Sequence, residues 1–477
     1  TSWECNGALP TQIKDYNNQP TSVSYDNRWR QATITAPDGA VTNFSYPSAS
    51  NSFTQSEQAM TFNGGNSTAD VLTVLDTMGR PQLQQTRQTP GGGNFDTIET
   101  CYDQMSRPIF VSAPYTGTAG QTGSCAGAGA ATQYDALSRP TLVTNGDNGT
   151  TAFNYSLNDV ETVVGPAPTG ENAKAKQEQF DGLGRLTSVC EETAGTIPWP
   201  GGACGQNAAK TGYLTTYAFS GVSGYSGLSQ MSVTQNAQSS STEKRAYLFD
   251  WRGRLLSDSN PETGTTAYTY DTESSHCNLS SKGDLEMRLD SAGNATCYAR
   301  DAAHRVTQIS YPSGPNAAAT PTKTFAYDSA SGLAVSSAPG FPNSNLAGRL
   351  VEAYTGPGSA PASVVGFSYD ADGRTVYVAQ ESTHSGGWYT SSESYFPNGA
   401  VASLSVPQAP AIAYGLDGEG RPTTVGAGSG QNPVTAASYS ALGLAALTLG
   451  SGDSDSYSYD SSTGRMNQFK YTIGSQT

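Results

Sequence analysis

Aromatic and small polar residues alternate in short runs along this chain: Phe44-Ser45-Tyr46, Phe153-Asn154-Tyr155, Tyr268-Thr269-Tyr270, Phe325-Ala326-Tyr327, Phe367-Ser368-Tyr369 and Tyr457-Ser458-Tyr459. A period of two with aromatic and Thr enrichment predicts half-buried strands. Many runs lead straight into Asp, two variable residues, usually a small one, and Arg. Another extended run follows, such as Thr141-Leu142-Val143-Thr144 or Leu186-Thr187-Ser188-Val189. Asp accepts backbone N–H bonds two residues on and Gly takes positive φ, so Asp-x-x-Gly predicts a turn. A second turn comes next, as in Pro37-Asp38-Gly39, Asn145 to Gly149, Pro261 to Gly264 and Pro397-Asn398-Gly399. Each unit therefore reads strand, turn, strand, turn, and the product is a long antiparallel ribbon. Residues 171–179 have helical propensity but no apolar stripe, and they run into Phe180, so they read as loop or strand.

The phrase around the Asp recurs ten times. It pairs Asp26 with Arg30, Asp76 with Arg80, Asp103 with Arg107, Asp135 with Arg139 and Asp181 with Arg185. It continues with Asp250 and Arg254, Asp301 and Arg305, Asp370 and Arg374, Asp417 and Arg421, and Asp460 and Arg465, the last copy carrying one extra residue. Spacings between motif Asp residues run from 27 to 69, and worn copies at Tyr217, Tyr270-Asp271, Leu289-Asp290, Tyr327-Asp328 and Tyr439 fill the longer gaps. The underlying period is roughly 20–30 residues, as in solenoid-like arrays. The predicted organisation is a lead-in over residues 1–20 and one continuous all-β repeat domain over 21–477, a piece of a longer polypeptide whose export signal lies elsewhere.

A residue repeated ten times serves the scaffold, because catalysis needs a unique constellation. The motif Asp is expected to cap its turn while the planar Arg fork reaches a carboxylate, a carbonyl or an aromatic face of the adjoining strand. The net charge of −15 disfavours nucleic acid, and 17 Arg against 8 Lys, ten of the Arg in the motif, make no basic patch. No apolar stretch approaches the ~20 residues of a membrane span. Six of the seven Cys fall in close pairs, Cys101 with Cys125, Cys190 with Cys204 and Cys277 with Cys297, leaving Cys5 alone. Disulfides within these pairs imply an oxidising setting, and free thiols are the alternative. With no Cys-x-x-Cys and three His, a zinc centre is not expected. His276, His304 and His384 are scattered, and Asp453 with Asp455 reads as an acidic loop before it reads as a Ca²⁺ site. Gly-x-Ser-x-Gly, His-Glu-x-x-His and Walker-type motifs are absent from the sequence.

Tyr134-Asp135-Ala136-Leu137-Ser138-Arg139-Pro140, Phe180 to Val189 and Tyr369 to Arg374 resemble the tyrosine–aspartate (YD) repeats of bacterial RHS proteins, toxin-complex shells and teneurins. The likeness covers about residues 20–470. It implies a single spiralling antiparallel sheet of β-hairpins wound into a hollow shell or solenoid. In that family the shell typically encloses the protein's own C-terminal toxic or variable segment, and some members instead stand on the cell surface. Members that cage a toxin finish with an Asp-Pro-rich self-cleaving segment, and no Asp-Pro dipeptide occurs here. The expected function is a non-catalytic, extracellular structural shell segment without cofactor or metal, whose partner is its own C-terminal segment. The alternative is a surface filament or adhesin of stacked copies. Cell-surface glycans or proteins are further candidate partners.

Overall fold

The computed structural model describes residues 1–4, 7–46, 55–171, 173–194, 211–221, 228–237, 239–428, 430 and 432–474. Over these residues the alternating runs form thirty-seven strands, and the helical elements among them are three short 3₁₀ turns. Apart from the short strand Tyr115–Thr118, each strand pairs antiparallel with its neighbour in sequence, so these connections are hairpins and the sheet grows in chain order. The segment with helical composition continues this pattern as the strand Lys174–Phe180. One strand forks. Asn94–Tyr102 pairs through its second half with Pro108–Ser112 and through its first half with the short strand Tyr115–Thr118. Pro108–Ser112 then pairs with Gly129–Tyr134, which carries the sheet onward.

The motif turn has one geometry in nine of its ten copies. In Asp76 to Arg80, the Asp76 N–H donates to the Arg80 carbonyl at 2.8 Å and the Gly79 N–H donates to the Asp76 carbonyl at 3.0 Å. Gly79 has φ +79°, and the pairing jumps from Leu75↔Pro81 to Val74↔Leu83. This is the type I turn plus left-handed residue that closes three-residue hairpins with a bulge. The slot before Arg is thus a left-handed slot. Ser106, Ser138, His304 and Trp29 occupy it as well, all with φ of 62–64°.

Because successive paired strands are antiparallel, turns alternate between the two rims of the ribbon, and the side strand Tyr115–Thr118 leaves that alternation unchanged. All ten motif turns fall on the same rim, called the motif rim below; the intervening turns form the far rim. The ribbon winds back on itself without closing, after 325–350 residues. Asn17 and Ala347 exchange two hydrogen bonds of 3.0 and 2.9 Å. The Thr68 N–H donates to the Gly418 carbonyl at 2.8 Å, and Phe62 meets Phe396 at 6.4 Å. Arg349, Arg374, Arg421 and Arg465 reach Asp15, Asp38, Asp96 and Asp147. In each of these contacts the motif rim of the later turn sits on the far rim of the earlier one. At that pitch 477 residues make about 1.4 turns.

Buried apolar side chains gather in a small cluster of Leu72, Val74, Leu83 and Phe95 and a larger one around Val335, Val351, Tyr377 and Ala379. The second forms because residues 329–346 fold back over the sheet. Val335 is fully buried against Gly366, where a Cβ would lie 2.0 Å from Val335 Cγ2.

Candidate functional site: a rim of aspartate–arginine clasps

The chemistry that recurs along the described residues is the Asp–Arg pair, and nine of the ten copies share one build. In Asp135, Oδ1 accepts the backbone N–H groups of Leu137 and Arg139 at 2.9 Å each. Oδ2 accepts Arg139 Nε at 2.7 Å and the terminal nitrogen at 2.6 Å, a bidentate fork. The same turn cap and Nε–Oδ2 bond join Asp26 to Arg30, Asp76 to Arg80, Asp103 to Arg107, Asp181 to Arg185, Asp250 to Arg254, Asp301 to Arg305, Asp370 to Arg374 and Asp417 to Arg421, and the terminal nitrogen completes the fork in Arg30, Arg80, Arg107 and Arg305. The Arg backbone N–H, with the guanidinium behind it, holds the Asp103, Asp135 and Asp181 carboxyls below the usual range against a smaller push from desolvation.

The guanidinium then reaches forward. It lies over the aromatic ring that ends the next strand pair at 4.0–5.1 Å in all nine copies, from Arg30 over Tyr46 to Arg374 over Tyr395. Where that ring is Tyr102, Tyr134, Tyr155, Tyr327, Tyr395 or Tyr439, its hydroxyl donates to the carbonyl just after the Arg at 2.6–2.9 Å. Arg80 and Arg107 also donate to the Asp103 and Asp135 carbonyls of the following motif turn. The motif residues therefore tie each hairpin to the next along one rim. The tenth copy departs. Its extra residue lets Asp460 Oδ1 cap Ser462 and Thr463, while the exposed Arg465 swings to Asp147 at 3.6 Å.

Two of the worn copies read from the sequence, at Tyr270-Asp271 and Tyr327-Asp328, are interrupted by insertions. Asp328 N–H donates to the Arg349 carbonyl, and Arg349 lies over Tyr369, so residues 329–348 interrupt one copy. Asp271 pairs in the same way with Asp284 across residues 272–283. Both retained Asp residues receive the preceding arginine, Arg254 on Asp271 at 2.7 Å and Arg305 on Asp328 in a fork of 2.9 and 2.6 Å. These bonds from arginine hold each carboxyl at about 2. The lone signal in the sequence was an orphan Tyr-Asp.

Three insertions among the described residues, these two and the segment 113–128, are each anchored by a buried glutamate. Glu99 accepts the Cys125 N–H at 3.0 Å, Glu273 accepts those of Ser275, His276 and Cys277, and Glu352 accepts that of Val335 at 2.6 Å. Two insertions also carry a disulfide: Cys101–Cys125 and Cys277–Cys297 have Cα atoms 5.7 and 5.5 Å apart. Cys190 is buried, whereas Cys204 and Cys5 lie outside the described residues. Glu99, Cys101 and Cys125 are the one cluster among the described residues with metal-like proximity, but both sulfurs are consumed by the disulfide. His276 and His304 bond locally, to Ser275 and Asp284, and Asp453 is engaged by Gly474 and Ser451.

Sequence reasoning found no unique acidic pair, and the winding creates two. Asp372 meets Asp38 beside Arg374, and Glu419 meets Asp96 beside Arg421. Desolvation, then the neighbouring Asp38, lifts Asp372 to about 6; desolvation, then Asp96, lifts Glu419 to about 7. Glu419 Oε1 is buried without a donor, so the pair is satisfied when it shares a proton. The clue in the sequence is the residue two after the motif Asp. It is acidic in these two copies alone, and these copies seat on Asp38 and Asp96 of the first turn. Elsewhere a groove of about 570 Å³ crosses the strands from Lys323–Tyr327 to Tyr389–Tyr395, with Phe325, Val365, Gln380 and Tyr389 along it. No helix among the described residues is long and apolar enough to cross a membrane.

No family profile matches the chain, and no curated protein matches it. Its fold matches chains of TcdB2-TccC3 complexes. One lacks the hypervariable C-terminal region (TM-score 0.71, 12% identity, 98% of this chain and 29% of that one). A second TcdB2-TccC3 crystal structure gives 0.68 and 14%, over 100% of this chain and 27% of that one. A Tc holotoxin pore from Photorhabdus luminescens gives 0.66 and 13%, over 98% and 29%. The chain thus spans less than a third of the solved chains it matches. The fold is that of toxin-complex shell chains.

Proposed function

We propose that this chain is a non-catalytic wall segment of an extracellular RHS-type shell, and that the complete shell encloses a C-terminal polypeptide. The observation that carries the reading is how the motif residues are used. Nine Asp–Arg pairs, the most numerous charged constellation in the chain, bind to one another, to the next turn and to the next ring. What they supply is a continuous hydrogen-bonded wall, and the seam between turns turns that wall into a winding. The likeness to TcdB2-TccC3 chains supports this, and the two disulfides fit an oxidising compartment.

The test is electron microscopy with limited proteolysis of the protein together with any polypeptide covalently joined to it. A hollow wound particle whose internal polypeptide resists protease until the wall is denatured is the expected result. A solid particle, or an internal segment cut at the rate of a free peptide, overturns the enclosure.

A further inference from the structure

Three reactive groups converge under the segment 113–128. A Glu99 carboxylate oxygen, Cys101 Sγ and Cys125 Sγ all lie within 4.8 Å of one another. Glu99 is 1% exposed and Cys101 2%, whereas Cys125 is open to solvent. The disulfide joining the sulfurs is one state of this cluster. Once it is reduced, the same place holds two thiols and a carboxylate. Two thiolates beside a carboxylate repel one another unless protons or a cation come between them. The second bridge offers a comparison. Glu273 also caps the loop that carries Cys277, yet no such three-group cluster forms at Cys277–Cys297 among the described residues.

The arrangement does not depend on the S–S bond alone. The strand Tyr115–Thr118 pairs with Asn94 to Thr97. Buried Gln85 donates from Nε2 to the Thr118 carbonyl and accepts the Gly120 N–H at Oε1, at 2.8 Å each. The Ala113 N–H donates to the Ala128 carbonyl at 2.9 Å and closes the base of the segment. Glu99 itself accepts the Cys125 N–H at 3.0 Å and the Ser124 hydroxyl at 3.4 Å. The spacing also suits a metal. Zinc bonds of about 2.3 Å to sulfur and about 2.0–2.2 Å to carboxylate oxygen, at tetrahedral angles, set sulfur and oxygen about 3.5 Å apart. Cys101 Sγ lies 3.5 Å from Glu99 Oε1. The sulfurs must separate to about 3.8 Å, a movement that falls to the exposed Cys125 side chain.

We infer that Glu99 and the reduced Cys101 and Cys125 form a zinc-type site, so that the anchor of this segment is covalent in an oxidising compartment and metal-held in a reducing one. The inference does not rest on the wall reading above. A dithiol reductant opens the site. Its thiolate attacks the exposed Cys125 Sγ, the S–S bond breaks, and the Cys101 sulfur leaves with the electron pair and takes up a proton. The second thiol of the reductant then displaces the Cys125 sulfur. The products are two cysteine thiols and an oxidised, cyclic disulfide of the reductant. A borderline-soft divalent ion such as Zn²⁺ displaces the two thiol protons and binds both sulfurs and a Glu99 oxygen, with water in the fourth position. Hard cations such as Ca²⁺ and Mg²⁺ are disfavoured, because two of the three ligands are sulfur.

The experiment titrates Co²⁺, a spectroscopic stand-in for Zn²⁺, into the 477-residue chain without oxygen, either oxidised or reduced by a dithiol that is then removed. The reduced chain is expected to develop thiolate-to-cobalt charge-transfer absorption and the visible bands of a tetrahedral ion, both lost on adding Zn²⁺. The oxidised chain should show neither. C101S/C125S should abolish the signal and C277S/C297S should keep it. Glu99→Gln retains an oxygen for the Cys125 N–H but removes the charge, and should weaken binding by at least about tenfold. Zn²⁺ should also raise the melting temperature of the reduced wild type and leave that of C101S/C125S unchanged. A reduced chain without the cobalt–thiolate signal, a signal indifferent to C101S/C125S, or Glu99→Gln binding as tightly as wild type each overturns the inference.

Discussion

At the scale of single residues, the motif Arg does three jobs that no other side chain combines. Its planar fork bonds one carboxylate oxygen twice, its flat face covers a ring, and its remaining nitrogen reaches the next turn's carbonyl. Arg80 is a mostly buried copy, with side-chain exposure of 19% for Arg80 and 15% for Asp76. Arg80→Ala is expected to destabilise by about 2 kcal/mol, from lost charge-assisted bonds and an Asp76 left without its fork. Arg80→Lys should recover less than half, because an ammonium cannot form the fork. Denaturant melts measure the loss, and hydrogen exchange should rise first at residues 76–80 and 103–107. Equal stability of the two variants would show that charge alone suffices. A plain conformational control is Gly184, whose φ is +75° with open space around the missing Cβ. Gly184→Ala should cost about 1 kcal/mol through the left-handed backbone alone.

Strands and insertions hold together through a different set of forces. The ribbon is one sheet thick, so few side chains are fully buried and insertions must supply the local cores. Each insertion is stitched by a glutamate that would be costly to bury without the N–H donors it receives. Reducing the Cys101–Cys125 and Cys277–Cys297 bridges, which span 24 and 20 residues, should lower stability by about 3 kcal/mol each through loop entropy. Calorimetry with and without reductant reads this, and an unchanged transition would place the anchoring on the glutamates alone. Gly366→Ala should cost about 1–3 kcal/mol, since Val335 cannot retreat from a new methyl group in that plug.

The whole molecule is decided at the seam. Folded Glu419 holds its proton up to about pH 7 and Asp372 up to about pH 6, both above their ordinary values of 4.5 and 3.8. The folded state therefore binds more protons than the unfolded chain between roughly pH 4 and 7, and stability falls as pH rises through that window. The groups facing Glu419 are Asp96, Asp417 and Arg421; those facing Asp372 are Asp38, Asp370 and Arg374. In the other direction, Asp271 and Asp328 titrate at about 2, so their contribution is complete above pH 4 and is lost as pH drops towards 2. Thermal stability should peak at about pH 4. Glu419→Gln with Asp372→Asn should flatten the decline above about pH 4 and leave the acid limb unchanged. Parallel wild-type and variant profiles would remove the carboxylate pairs from the account.

The sequence by itself determined the hairpin unit, because period-two alternation and Asp-x-x-Gly turn chemistry are local. It placed the all-β fold and the spiralling repeat within reach. It also located Cys101–Cys125 and Cys277–Cys297, whose partners lie about one repeat apart. It was silent wherever a partner is distant in the chain. Arg349 closes the copy begun at Asp328 only because a plug folds out of the way, and no window of a few residues contains both. The pairs Asp38 with Asp372 and Asp96 with Glu419 exist only because the ribbon's twist returns it to itself after some 330 residues. That pitch is set by the accumulated angle of many strand pairs, a quantity no single repeat carries, and it alone decides which motif turn meets which far-rim turn.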